Sequence, residues 1–182
     1  MSVSRRIRAL LGVGALTAAA VLLPVQSAGA AEQVVPYQVV CGGSQTTTYN
    51  PGLTNTPQTL TRSGQNIHAP CLATVSPFTF TGSTAFTSTS TLSCLSLTEA
   101  NTGVDLISWS TGATSTFSYN RTVSIVQGQT VVTLTGEITS GWFQGATAVE
   151  TITSVALDLG ACATAEGITS TYGVSELTIT GS

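Results

Sequence analysis

The chain has 182 residues, of which 42% are hydrophobic and only 7% charged, and its formal net charge is −3. It holds five arginines, no lysine, one histidine and four cysteines. With so few cations there is little to neutralise phosphates, which argues against nucleic acid and against anionic lipid as partners.

The N-terminal segment reads as an export signal. Arg5, Arg6 and Arg8 form a positive n-region, Ala9–Leu23 is an uncharged apolar run of fifteen residues, and Pro24 breaks it. Ala28-Gly29-Ala30 then supplies the small residues of a cleavage site, so a signal over 1–30 and a mature domain over 31–182 are expected. The apolar run is shorter than the roughly 20 residues of a spanning helix, so a retained anchor is the weaker reading. Ser4-Arg5-Arg6 matches only part of a twin-arginine signal, and ordinary Sec export fits better. Cleavage would leave Arg62 and Arg121 as the only cations against eight acids, a formal charge of −6 on 152 residues.

Downstream, the pattern is one of strands punctuated by turns, with almost no helical period. Val34–Val40 and Thr46–Tyr49 are short strand candidates. Asn50–Gln58 (NPGLTNTPQ) reads as a turn-rich loop, and 64–77, which contains His68 and Cys71, reads as strand-poor. From Phe78 the pattern becomes regular, with Phe86–Cys94 alternating and Val104–Trp109 following a loop at Asn101-Thr102-Gly103. The clearest hairpin turns at Ser110-Thr111-Gly112. In its second strand Phe117, Tyr119, Arg121, Val123 and Ile125 share one face. Gln127-Gly128-Gln129 turns the chain into Thr130–Thr139, the connection Ser140–Gly145 (SGWFQG) leads to Ala146–Leu157, and Gly173–Thr180 is the last strand expected. About nine short strands at hairpin spacing point to one all-β domain: an antiparallel β-sandwich, immunoglobulin-like by analogy of architecture, with a barrel as second choice. Abundant Thr and Ser suit exposed strand faces, where the hydroxyls replace charge as the source of solubility.

All four cysteines, Cys41, Cys71, Cys94 and Cys162, fall after the signal, and an even number in an exported chain reads as two disulfides. Of the three possible pairings, Cys41–Cys71 with Cys94–Cys162 is favoured. A zinc site is the rival and lacks any C-x-x-C pair.

Motifs for chemistry are sparse. His68 would have to serve any Ser-His-Asp triad, with Asp105 as its acid. No G-x-S-x-G or S-x-x-K accompanies it, and a surface-loop histidine is the favoured reading. Glu137 and Glu150 flank the SGWFQG connection and would suit a glycosidase if they met across the hairpin. The blander reading has both facing water. Trp142 and Phe143, at the tip of that connection, are candidate ligand-binding residues for a glycan, while Trp109 and Tyr119 read as packing. No metal site and no cofactor are expected.

The Ala-rich signal, Tyr49-Asn50-Pro51-Gly52-Leu53-Thr54, Trp109-x-x-Gly112-x-x-Ser115-Thr116-Phe117, Gly128–Thr133 (GQTVVT) and Thr139-Ser140-Gly141-x-Phe143-x-Gly145 together resemble small secreted β-rich proteins of actinomycetes such as streptomycetes. That resemblance implies export and a β fold, and carries over no catalytic residue. Streptomycetes also secrete two-disulfide protease inhibitors, but those are shorter and space their cysteines differently. The expectation is therefore a monomeric, non-enzymatic structural or interaction module with a cell-wall or extracellular partner. A glycan-binding module using Trp142 is the alternative, and a glycoside hydrolase or protease inhibitor a further one.

Overall fold

The computed structural model describes residues 35–74, 78–155, 158 and 160–182; the expected signal at 1–30 lies outside them. Eight strands follow in order: β1 (Tyr37–Leu53), β2 (Gln58–Ala73), β3 (Thr79–Leu92), β4 (Asn101–Trp109), β5 (Thr114–Val126), β6 (Gln129–Gly141), β7 (Thr147–Ser154) and β8 (Ile168–Gly181). Two short 3₁₀ turns, Cys94–Thr98 and Ala161–Ala163, interrupt them. Each strand pairs antiparallel with the next, and β1 pairs with β8, closing the sheet into a barrel. The all-β antiparallel class is as expected. Its architecture is the barrel placed second above, not the sandwich. Closure removes both sheet edges, and it depends on a β1–β8 pairing running from Tyr37↔Gly181 to Leu53↔Ile168.

Three stretches differ from the sequence reading, and one of them, the loop expected at Asn101-Thr102-Gly103, is the paired start of β4. Val34–Val40 and Thr46–Tyr49 belong to one strand, β1, which continues through Pro51-Gly52 to Leu53. The stretch at 64–77 is not strand-poor, since β2 runs through it as far as Ala73, carrying His68 inside the barrel. Leu60, Arg62, Gly64, Asn66 and His68 hold successive inward positions, so the alternation is present but made of polar residues and glycine.

Outward positions carry hydroxyls. Thr59, Thr61 and Ser63 on β2 meet Thr91, Thr89 and Thr87 on β3 in a ladder of side-chain hydrogen bonds at 3.3, 3.2 and 3.2 Å. Such cross-strand pairs stabilise a half-exposed sheet without charge.

Two apolar clusters fill the ends of the barrel. The larger, built on Phe80, Trp109, Phe117, Ile138, Leu177 and Ile179, also buries the Cys41–Cys71 disulfide between register partners of β1 and β2. The smaller gathers Tyr49, Leu53, Leu60 and Ile168 around the Cys94–Cys162 disulfide, which joins the two 3₁₀ turns. Both bridges are the pairing the sequence favoured.

The wall is thinned at four places where an aromatic ring lies across a glycine on the neighbouring strand. Phe86 covers Gly64, Trp109 covers Gly82, Tyr119 covers Gly103 and Tyr37 covers Gly181, each pair in direct register. A methyl group at any of these glycines would occupy the space of the ring. Gly82→Ala is expected to overpack the Trp109 site and cost about 1–3 kcal/mol, read as a lower urea midpoint together with a shifted Trp emission. An unchanged midpoint would show that the ring moves aside freely.

Candidate functional site

Between the two clusters the interior turns polar. A cavity of about 560 Å³ lies there, lined by residues that include Tyr49, Arg62, Phe86, Ser88, Asp105, Tyr119 and Arg121. Its access follows from the pairing of β3 with β4, which consists of only Gly82↔Trp109 and Ser83↔Ser108. Beyond those two pairs the strands part. The lips of the opening, Ser88 and Ser90 on one side and Asn101–Asp105 on the other, all line the cavity.

Each polar residue is placed by strand parity. Arg62 and Ser88 are register partners on β2 and β3, both pointing inward. The Arg62 guanidinium sits over the Phe86 ring, 5.0 Å from its centroid. Arg121, inward on β5, donates from Nη2 to the Leu97 carbonyl at 2.8 Å and from Nη1 to the Glu99 carbonyl, so it pins the first 3₁₀ turn against the barrel. Burial lowers the Arg121 pKa. Burial raises that of Asp105, while the Arg62 charge and the Tyr119 phenol pull it back. The Tyr119 phenol itself is pushed up to about 12, first by burial and then by the Asp105 charge.

Beneath the cavity lies a second polar group with almost no access to solvent. Glu150, His68 and Asn66 are 2%, 1% and 1% exposed. Asn66 donates from Nδ2 to Glu150 Oε1 at 3.3 Å, and His68 Nδ1 stands 4.0 Å from the same oxygen, beyond hydrogen-bond reach. Burial pushes the Glu150 carboxyl up to about 8, the Asp105 charge adding to the rise, and holds the His68 imidazole down to about 4. Both side chains are therefore neutral at pH 7.

Among the described residues six buried polar atoms lack a hydrogen-bond partner, and they stand on inward-facing side chains: Arg62 Nε, Asn66 Oδ1, His68 Nδ1, Ser88 Oγ, Thr130 Oγ1 and Ser175 Oγ. Burying an unpaired polar group costs about 1–3 kcal/mol, and three of the six, Arg62 Nε, Ser88 Oγ and Thr130 Oγ1, stand on residues that line the cavity.

The residues singled out from sequence are distributed differently. His68 is a buried lumen residue rather than a surface-loop histidine. Glu150 points inward and Glu137 outward on adjacent strands, their register partners being Leu134 and Thr147, so the barrel wall separates them. The pair needed for a glycosidase does not form, and Glu150 does not face water. Trp142 and Phe143 stack on each other at 4.2 Å and close the end of the barrel against Phe80 and Trp109. Their turn is docked by Ser115, which accepts from Trp109 Nε1 and donates to the Trp142 carbonyl. Asp105 does line the cavity, without His68 as a partner in it. Arg62, Ser88 and Tyr119 were missed as site residues. The one available signal was on β5, where Tyr119 and Arg121 share a face with Phe117.

No family model matches the chain, and neither the curated proteins nor the solved structures yield a match. Among the described residues no group of three or more metal-binding side chains comes together, and no helix is long and apolar enough to cross a membrane.

Proposed function

We propose that this chain is an exported, non-enzymatic binding protein whose β-barrel holds a small molecule in the polar cavity between its two apolar clusters. The observation that carries this reading is a cavity of about 560 Å³, within the range of small-molecule sites, lined by polar atoms without partners. Rigid walls support it as well: strand hydrogen bonds fix the backbone, one disulfide ties β1 to β2 and the other ties the two 3₁₀ turns. The same disulfides agree with an oxidising, extracellular setting.

Titration with the uncharged fluorophore N-phenyl-1-naphthylamine tests the reading. Saturable emission at one dye per chain is expected, and Ser88→Trp, which fills the cavity from β3, should abolish it while leaving the far-UV circular dichroism unchanged. Failure of the wild-type protein to bind, or equal binding by Ser88→Trp, would sink the proposal.

A further inference from the structure

Two cations remain in the chain after residue 34, Arg62 and Arg121, and both line the same cavity, in a domain whose other charges are all acidic. They are not equivalent. Arg121 spends donors on two backbone carbonyls of the first 3₁₀ turn. Arg62 has no such anchor: its Nε is buried without a partner, and the only acid–base contact within 4.0 Å among the described residues is that of His68 with Glu150. Asp105, across the opening between β3 and β4, is therefore beyond ion-pair distance of Arg62.

Beside Arg62, its register partner Ser88 presents a second buried unpartnered atom, Oγ. A guanidinium edge and a hydroxyl thus stand side by side on paired strands, facing the cavity with their hydrogen-bonding capacity unused. Stacking on Phe86 keeps the guanidinium in place and partly free of water, which raises its value to an incoming anion. Tyr49, Phe86 and Leu134 supply apolar surface to the rest of the same cavity.

Resting on the binding-protein reading above, we infer that the cavity takes a small amphipathic carboxylate, its head group bound by Arg62 and Ser88 and its apolar body lying along the aromatic wall. The planar fork of arginine matches a carboxylate with two parallel hydrogen bonds, and the Ser88 hydroxyl adds a third donor. The neutral state of Glu150 and His68 fits this assignment, because it leaves Asp105 and Glu99, both on the lining, as the acids opposing the ligand.

The test compares 2-naphthoate with 2-naphthamide, which share a shape and differ in charge, by calorimetric titration of the full chain. The wild type is expected to bind the naphthoate about tenfold or more tightly than the amide, the scale of one charge-assisted contact. Arg62→Gln should erase that preference, and Arg62→Lys should restore part of it. Thermal melts of both variants check that they fold. Binding of the uncharged fluorophore without any preference for naphthoate, or a preference that survives in folded Arg62→Gln, would overturn the carboxylate assignment and leave the binding barrel standing. Absence of binding by the fluorophore and by both naphthyl compounds would overturn the binding barrel, and the assignment with it.

Discussion

Replacing Glu150 with glutamine is expected to yield a protein equal to wild type in stability near pH 4.5 and more stable by about 3–5 kcal/mol above pH 8. The unfolded carboxyl titrates near 4.5 and the folded one at about 8, because burial penalises its charge. Between those values the folded state holds a proton that the unfolded state has released, so wild-type stability falls as pH rises and is lowest once both forms are ionised. His68 works in the opposite sense. Its folded value of about 4 lies below the ordinary 6.5, so its contribution is intact above pH 6.5 and is lost as pH falls towards 4. From pH 4.5 to 6.5 the two slopes oppose each other, and from 6.5 to 8 the glutamate acts alone. Wild-type melting temperature should thus be flat at mildly acidic pH and decline from pH 6.5 to 8. The glutamine variant, whose side-chain oxygen still accepts from Asn66, should lose that decline. Parallel curves for the two proteins across this range would refute the account.

Removing the Cys94–Cys162 bridge as a double alanine variant should cost about 4 kcal/mol, from the chain entropy of a 68-residue separation. The bridge joins the two 3₁₀ turns over the smaller cluster, and Arg121 holds the first of those turns from the barrel side. The turn should accordingly stay attached at low temperature while the global denaturation midpoint drops. Binding of the uncharged fluorophore should persist below the transition. A loss under about 1 kcal/mol would mean that the unfolded chain is already constrained in this region.

Local features of this fold were readable and closed ones were not. The β5 face of Phe117, Tyr119 and Arg121 alternates plainly because the cluster at one end and the site at the other both draw on it, and Gly112 and Gly128 mark tight turns with positive φ. The disulfide pairing was also legible. β2 was hidden because its inward residues, Arg62, Asn66 and His68, are polar, and a hydrophobicity pattern cannot recognise an inside that is not apolar. Closure of β1 on β8 joins the two ends of the domain, so no local signal reports it, and a sandwich of similar strands looks the same in sequence. The Glu137–Glu150 pairing failed on parity: thirteen positions apart across a hairpin connection, the two side chains fall on opposite faces of the wall. Trp142 looked like an exposed platform because a hairpin tip usually is one. Here the tip folds back over Phe80 and Trp109.

The rings lying on Gly64, Gly82, Gly103 and Gly181 have a consequence for how such a barrel changes over time. At these positions the inner lining is supplied by a removable tile on one strand over bare backbone on its neighbour. Trimming Phe86 or Tyr119 would enlarge the chamber, and growing a side chain from Gly64 or Gly103 in its place would reshape it from the opposite strand, with the ladder of backbone hydrogen bonds untouched. The shape of the chamber and the fold are thereby written in separate sets of atoms. A lineage, or an engineer, is free to rework the first without redrawing the second.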